Sequence, residues 1–209
     1  MKIAILSESP ADATAIHLLV ESLLNTRVQD VRFRPETRSW PQVRDNLPKV
    51  LQHLHYRTDA EALVVVADLD DDPIHQPAHD TSGNSDLSCR LCCLRDVIRQ
   101  AQHQLSSNIS RPAIKTAVGV AVPAIESWLL CGQDGRASEA AWLQGGSAFR
   151  GRSFRLELKS AVYGNDRSSL SLKIQRASEE AKRLAGDLSL LENHFPAGFG
   201  ALAQDLRNW

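Results

Sequence analysis

The chain has 209 residues, 43% of them apolar and 23% charged, and a formal net charge of −1. That length builds one α/β domain with a proper core, or one domain with a small helical annex. The balanced charge excludes binding to nucleic acid through global attraction, so any such contact needs a local basic patch. No apolar run approaches the roughly 18 residues of a membrane span, so no membrane partner is expected. The opening MKIAILSE is too short in apolar length for a signal peptide. A cytoplasmic chain with reduced thiols is expected. Three of the four cysteines, Cys89, Cys92 and Cys93, fall within five positions, a spacing that suits a helix better than a disulfide framework.

Residues 2–7, KIAILS, read as a short strand apolar on both faces, as a central parallel strand is. Pro10 then suits a first helical turn, and Ala13, Ile16, Leu19, Val20, Leu23 and Leu24 follow at three-and-four spacing until Asn25. Residues 28–34, VQDVRFR, alternate and predict a second strand nearer an edge. Trp40, Val43, Leu47, Val50, Leu51 and Leu54 form the next helical stripe, with Pro48 expected to weaken or kink it. ALVVVAD, residues 62–68, is a fully apolar and therefore central third strand. Residues 71–86 read as a long loop, 87–105 as a helix and AIKTAVGVAV as a fourth strand. A helix begins after Pro123, and from there to Trp209 the pattern is helical. Strands alternating with helices predict a mainly parallel sheet flanked by helices, whose ligands bind beyond the carboxyl ends of the strands.

That rule gathers the acids. VVVADLDDD, residues 64–72, runs a buried strand into four aspartates within five positions, a crowding of like charge that something must offset. In an extended segment residues two apart point the same way, so Asp68 and Asp70 would present oxygens to one hard cation such as Mg²⁺ or Mn²⁺. Glu8 from the first strand would add a ligand or a general base, and Asp12 lies one helical turn later. Glu126 follows the fourth strand and would close the group. Asp71 and Asp72, before Pro73, read most simply as turn formers.

Glu ending the first strand, an Asp four residues on, and an apolar strand ending in Asp-x-Asp together resemble the Toprim domain; here they read ILSESPAD and VVVADLD. AVPAIESWLL is similar to the Glu-x-Trp-Leu motif of the stand-alone OLD-like and RloB-like Toprim nucleases of bacterial defence loci. The resemblance covers roughly residues 1–130 and implies a four-stranded Toprim-type sheet, with residues 131–209 as a helical extension packed on it. It further implies a Mg²⁺- or Mn²⁺-dependent nuclease acting on DNA or RNA. Glu8 would act as acid/base or ligand, Asp12, Asp68, Asp70 and Glu126 as ligands, and a C-terminal lysine, Lys159 or else Lys173, would stabilise phosphoryl charge. Toprim domains usually carry Gly directly after that glutamate, where this chain has Ser9. The competing expectation is a non-catalytic module that docks a partner such as an ATPase or another defence-system subunit.

Two further groups stand out. His75, His79, Cys89 and Cys92 have the ligand types and local spacings of a zinc site. The cysteines also suit one face of a predicted helix, and the order of the pairs is not one of the usual finger patterns, so packing is expected there. Arg150, Arg152, Arg155 and Lys173 belong to a basic stripe that would meet a phosphate backbone, unless it is a solvated helix face. The first 30 residues hold no Gly-rich phosphate loop, which argues against ATPase and NAD-dependent chemistry. No nucleophile elbow is present for a serine hydrolase.

Overall fold

The apolar runs without alternation become the middle of the sheet. In the computed structural model, β1 (Lys2–Leu6), β2 (Gln29–Asp30), β3 (Ala62–Asp68) and β4 (Lys115–Ala121) form a four-stranded sheet in the order β2-β1-β3-β4. Every pairing is parallel, with Ile3 beside Ala62, and the β3–β4 ladder running from Ala62 beside Lys115 to Asp68 beside Ala121. The structure describes all residues except 34–36, 38, 82–85, 87, 106–111 and 166. The last residue of the expected second strand, part of the expected long loop and the expected first residue of the helix after it therefore lie outside the described residues.

The helices are α1 (Pro10–Leu24), α2 (Trp40–Arg57), α3 (Ala78–Thr81), α4 (Arg90–Leu105), α5 (Ile125–Leu129), α6 (Glu139–Gln144), α7 (Gly151–Tyr163), α8 (Leu170–Leu184), α9 (Leu188–His194) and α10 (Phe199–Arg207). Ser9 caps α1: its backbone is extended (φ −150°, ψ 160°) and its hydroxyl accepts from the Asp12 N–H at 3.2 Å. Asn25, left-handed at φ 46°, ends the helix. β2 is shorter than expected, only two residues long, because the alternating segment pairs with β1 at Gln29 and Asp30 alone. The expected loop after β3 carries the short helix α3. α2 runs on through Pro48, which is exposed while Val43, Leu47, Val50, Leu51 and Leu54 bury the opposite stripe. Water can serve the carbonyl that proline leaves unbonded.

Parallel crossovers are right-handed, so the connections that run in opposite directions from β1 place helices on opposite faces. α2 and α4 pack together on one face, while α1, α8 and α10 form the other layer. α8 lies along α1, and α10 lies on β4. The approach of the α9–α10 corner to β4 is close enough to demand glycine. A methyl group on Gly198 would sit 2.1 Å from the Val120 carbonyl oxygen, and one on Gly119 would meet Leu202 Cβ at 3.1 Å.

One hydrophobic core extends from Ile3 to Leu206, so the expected boundary near residue 130 runs through it. Trp128, fully buried, meets the rings of Phe195 and Phe199 edge-on with centroids 6.5 and 5.3 Å away. Among the described residues, no helix is long and apolar enough to cross a membrane.

Candidate functional site

β1 leads leftward to β2 and β3 leads rightward to β4, which puts the topological switch point between the carboxyl ends of β1 and β3. Glu8 follows β1 and Asp68 ends β3, so these two acids flank the switch. They are joined directly: the Asp68 N–H donates to Glu8 Oε1 at 3.1 Å. The Asp68 carboxylate in turn accepts the Ile125 N–H at 3.0 Å, which ties β3 to the start of α5. One residue further on, α5 delivers Glu126 into the same place, and the first turn of α1 delivers Asp12.

Asp12 and Glu126 are buried, whereas Glu8, Asp68 and Lys159 are half-buried residues. Lys159 comes from the middle of α7. Its ammonium is held protonated above the ordinary lysine range, first by Glu126 and then by Asp68, Asp12 and Glu8. One cation for four acids is too little. Burial, then Glu126, pushes the Asp12 carboxyl up to about 7. Asp68 is raised well above the usual carboxylate range by the same pair of causes. Burial raises Glu126 and Glu8 as well. Tyr163, one turn after Lys159 on α7, stands near Glu126 and is itself raised by burial and then by Glu126. Oε2 of Glu126 is buried and has no hydrogen-bond partner among the described residues.

The aspartate run divides its charge among different partners. β3 stops at Asp68, and Asp70 takes a left-handed conformation at φ 52°. The expected extended Asp-x-Asp presentation is therefore replaced by a turn, pinned by the Leu69 N–H on Ala121 O and the Asp70 N–H on Pro123 O, both at 2.8 Å. The Asp70 carboxylate pairs with Arg90 at 3.1 Å and Arg155 at 3.3 Å. Asp71 accepts from the Gly151 N–H at 2.8 Å and from Arg155 at 3.0 Å, which lowers its pKa, the Gly151 bond first. Asp72 accepts from Arg90 Nε at 2.6 Å. Asp71 and Asp72 thus do more than form a turn: they fasten it to α7 and α4.

The basic stripe is split in the same way. Arg155 faces Asp70 and Asp71, while Arg150 reaches the Asp71 carbonyl at 3.4 Å and lies over Trp142. Lys173 stands 5.9 Å from the Tyr163 ring centre, and Arg152 is exposed.

The histidines and cysteines, for which packing was the first expectation and zinc the second, come together. Cys89 precedes α4 instead of lying on its face, and His79 of α3 lies beside Cys92 on that helix. One ligand atom from each of His75, His79, Cys89 and Cys92 lies within 4.8 Å of the other three, so this group can hold a metal ion. His75 Nδ1 is 3.5 Å from Cys89 Sγ and 3.4 Å from Cys92 Sγ; His79 Nδ1 is 3.7 Å from Cys92 Sγ. The outward nitrogens meet carboxylates, His75 Nε2 with Asp80 at 3.2 Å and His79 Nε2 with Asp86 at 3.6 Å.

The chain matches no family model, no curated protein and no solved structure. The site must be read from its own chemistry. Sequence reasoning missed Tyr163 and Arg90. Tyr163 was signalled by standing four residues after Lys159 on a helix. Nothing in the sequence singled out Arg90 except its place directly after Cys89.

Proposed function

We propose that the chain is a nuclease that hydrolyses phosphodiesters of DNA or RNA with Mg²⁺ or Mn²⁺, as the Toprim resemblance implies. The observation that carries this reading is the excess of buried carboxylate around Lys159, with Glu126 Oε2 left without a partner. The donors are of the all-oxygen acidic kind that a hard divalent cation takes, although they are not drawn together as the His75–His79–Cys89–Cys92 ligands are. Glu8, Asp12, Asp68 and Glu126 would hold it; Asp70, already paired with two arginines, would lie at the rim. Bound there, the cation would activate water and neutralise charge on the phosphoryl oxygens. Glu8, a half-buried residue whose pKa is raised by burial, would accept the proton of the attacking water. Lys159 sets its ammonium against the charge that develops on the phosphoryl oxygens. Tyr163, on the same helix as Lys159, would orient Glu126.

The test is cleavage of mixed DNA and RNA substrates with Mg²⁺ or Mn²⁺ by the purified chain, beside Asp68→Ala and Glu8→Ala. Metal-dependent cleavage reduced about 100-fold or more in both variants is the expected result. No cleavage by the folded wild-type chain would sink the reading in favour of a docking module.

For the second site we infer Zn²⁺. Tetrahedral zinc with bonds of roughly 2.1 Å to nitrogen and 2.3 Å to sulfur sets its nitrogen and sulfur ligands about 3.6 Å apart. Three of the four nitrogen–sulfur separations here, 3.4 to 3.7 Å, match that edge. Asp80 and Asp86 on the outer nitrogens are the carboxylate partners that fix the tautomer of a metal-bound histidine.

A further inference from the structure

The two sites share their chain. The acidic turn, Asp70 to Asp72, runs through Pro73 and Ile74 into His75, and Cys89 is followed at once by Arg90. Arg90 is buried, at 7% exposure, and spends its whole guanidinium on the turn. Nε donates to Asp72 at 2.6 Å, one Nη pairs with Asp70 at 3.1 Å, and the other donates to the backbone carbonyl of Asp68. Its flat face lies over Trp40, 4.9 Å from the ring centre. A planar fork so placed reads both geometry and charge, and a lysine could not replace it.

We propose that the His75–His79–Cys89–Cys92 centre is a positioning device for the phosphodiester site: its zinc fixes the start of α4 against the downstream end of the acidic turn, and Arg90 carries that order to Asp68 and Asp70. The proposal rests on the zinc reading and on the nuclease reading above. The short spacings carry it. Without the metal, nothing covalent links residues 70–75 to residue 89 except the intervening chain, so Arg90 would hold three acceptors from a helix start fixed by packing alone, with Cys89 and Leu91 buried. With it, four ligand bonds close that loop. Zinc here takes no part in the reaction; it sets where the carboxylate at the end of β3 and the turn behind it stand. Of the aspartates in the turn, Arg155 reaches only Asp70 and Asp71, so Asp72 and the Asp68 carbonyl depend on Arg90.

The experiment measures three things on the full chain: zinc content with the spectrum of the Co²⁺-substituted protein, hydrogen exchange of the Leu69, Asp70 and Asp72 amides, and Mn²⁺ affinity. It compares wild type, wild type treated with a nitrogen-donor chelator that spares Mg²⁺, Cys92→Ser and Arg90→Met. We expect one zinc per chain and a tetrahedral Co²⁺ spectrum in wild type and Arg90→Met, and neither in Cys92→Ser. The three amides, bonded to Ala121 O, Pro123 O and Leu69 O in the ordered turn, should exchange at least about tenfold faster in the treated protein and in both variants, with Mn²⁺ binding weakened about tenfold. Arg90→Met keeps the test sharp should Cys92→Ser fail to fold, because it breaks the link with the metal in place. Absence of stoichiometric zinc in wild type would overturn the zinc reading and the coupling with it. Zinc present, but exchange and Mn²⁺ affinity unchanged within twofold on its removal or in Arg90→Met, would overturn the coupling and leave the zinc reading intact. A wild-type chain that holds zinc yet binds no Mn²⁺ would instead sink the nuclease reading, and with it the claim that the centre serves a phosphodiester site.

Discussion

Lys159 is the only side chain among the described residues that acts as a cation on all four of Glu8, Asp12, Asp68 and Glu126. Lys173 reaches Glu126 more weakly and stands over the Tyr163 ring. Steady-state cleavage rates should therefore fall about 100-fold in Lys159→Met and less than about tenfold in Lys173→Met. Equal losses would put the phosphate-facing charge elsewhere. The acids themselves were legible in the sequence, because a strand's end and a helix's first turn are local features. Which lysine joins them was not, since α7 meets α5 only through tertiary packing. Asp70 misled for a related reason: the two-residue rule holds within a strand, and β3 ends two residues earlier.

At the scale of elements, Ser9 takes the place of an expected glycine at no conformational cost, since its backbone is extended and its hydroxyl caps α1. The glycine that matters lies far away in sequence. Gly198→Ala would drive a methyl group against the Val120 carbonyl, backbone against backbone, and should cost about 1–3 kcal/mol in denaturant unfolding, with the end of β4 disturbed. An unchanged unfolding midpoint would mean that the α9–α10 corner moves freely off the sheet. The central strands and α1 were readable from their unbroken or three-and-four apolar patterns. The four ligands of the zinc-type centre were legible by type and spacing, but packing was the favoured expectation because the cysteines also satisfy a helical spacing; that they converge with the histidines is a tertiary feature that periodicity does not encode.

For the whole molecule, the raised acids set a dependence on pH. Asp12 moves from an ordinary 3.8 to about 7, so the folded chain binds its proton more tightly than the unfolded chain does. The stabilisation it supplies is complete below about pH 3.8 and is lost as pH rises through about 7; Glu8, Asp68 and Glu126 act in the same direction. Lys159, raised by Glu126, stays charged throughout this range. Freed of divalent ions, the protein should melt at a lower temperature near pH 8 than near pH 5, and added Mg²⁺ should raise the melting temperature more at the higher pH. A flat profile by calorimetry would show that the acids are not crowded in solution. The turn behind them obeys different physics. The side chains of Asp70, Asp71 and Asp72 are 38%, 45% and 44% exposed, and they bind α4 and α7 through two arginines. Screening at roughly 1 M salt shortens the reach of charge to about 3 Å and acts first on the pairs of Arg155, whose side chain is 22% exposed, and later on those of the buried Arg90. Ionic strength would slacken the Arg155 side of the rim while the floor, Asp68 on the Ile125 amide, stays put, so a salt titration can separate the carboxylates proposed to hold a cation from those that only hold the chain.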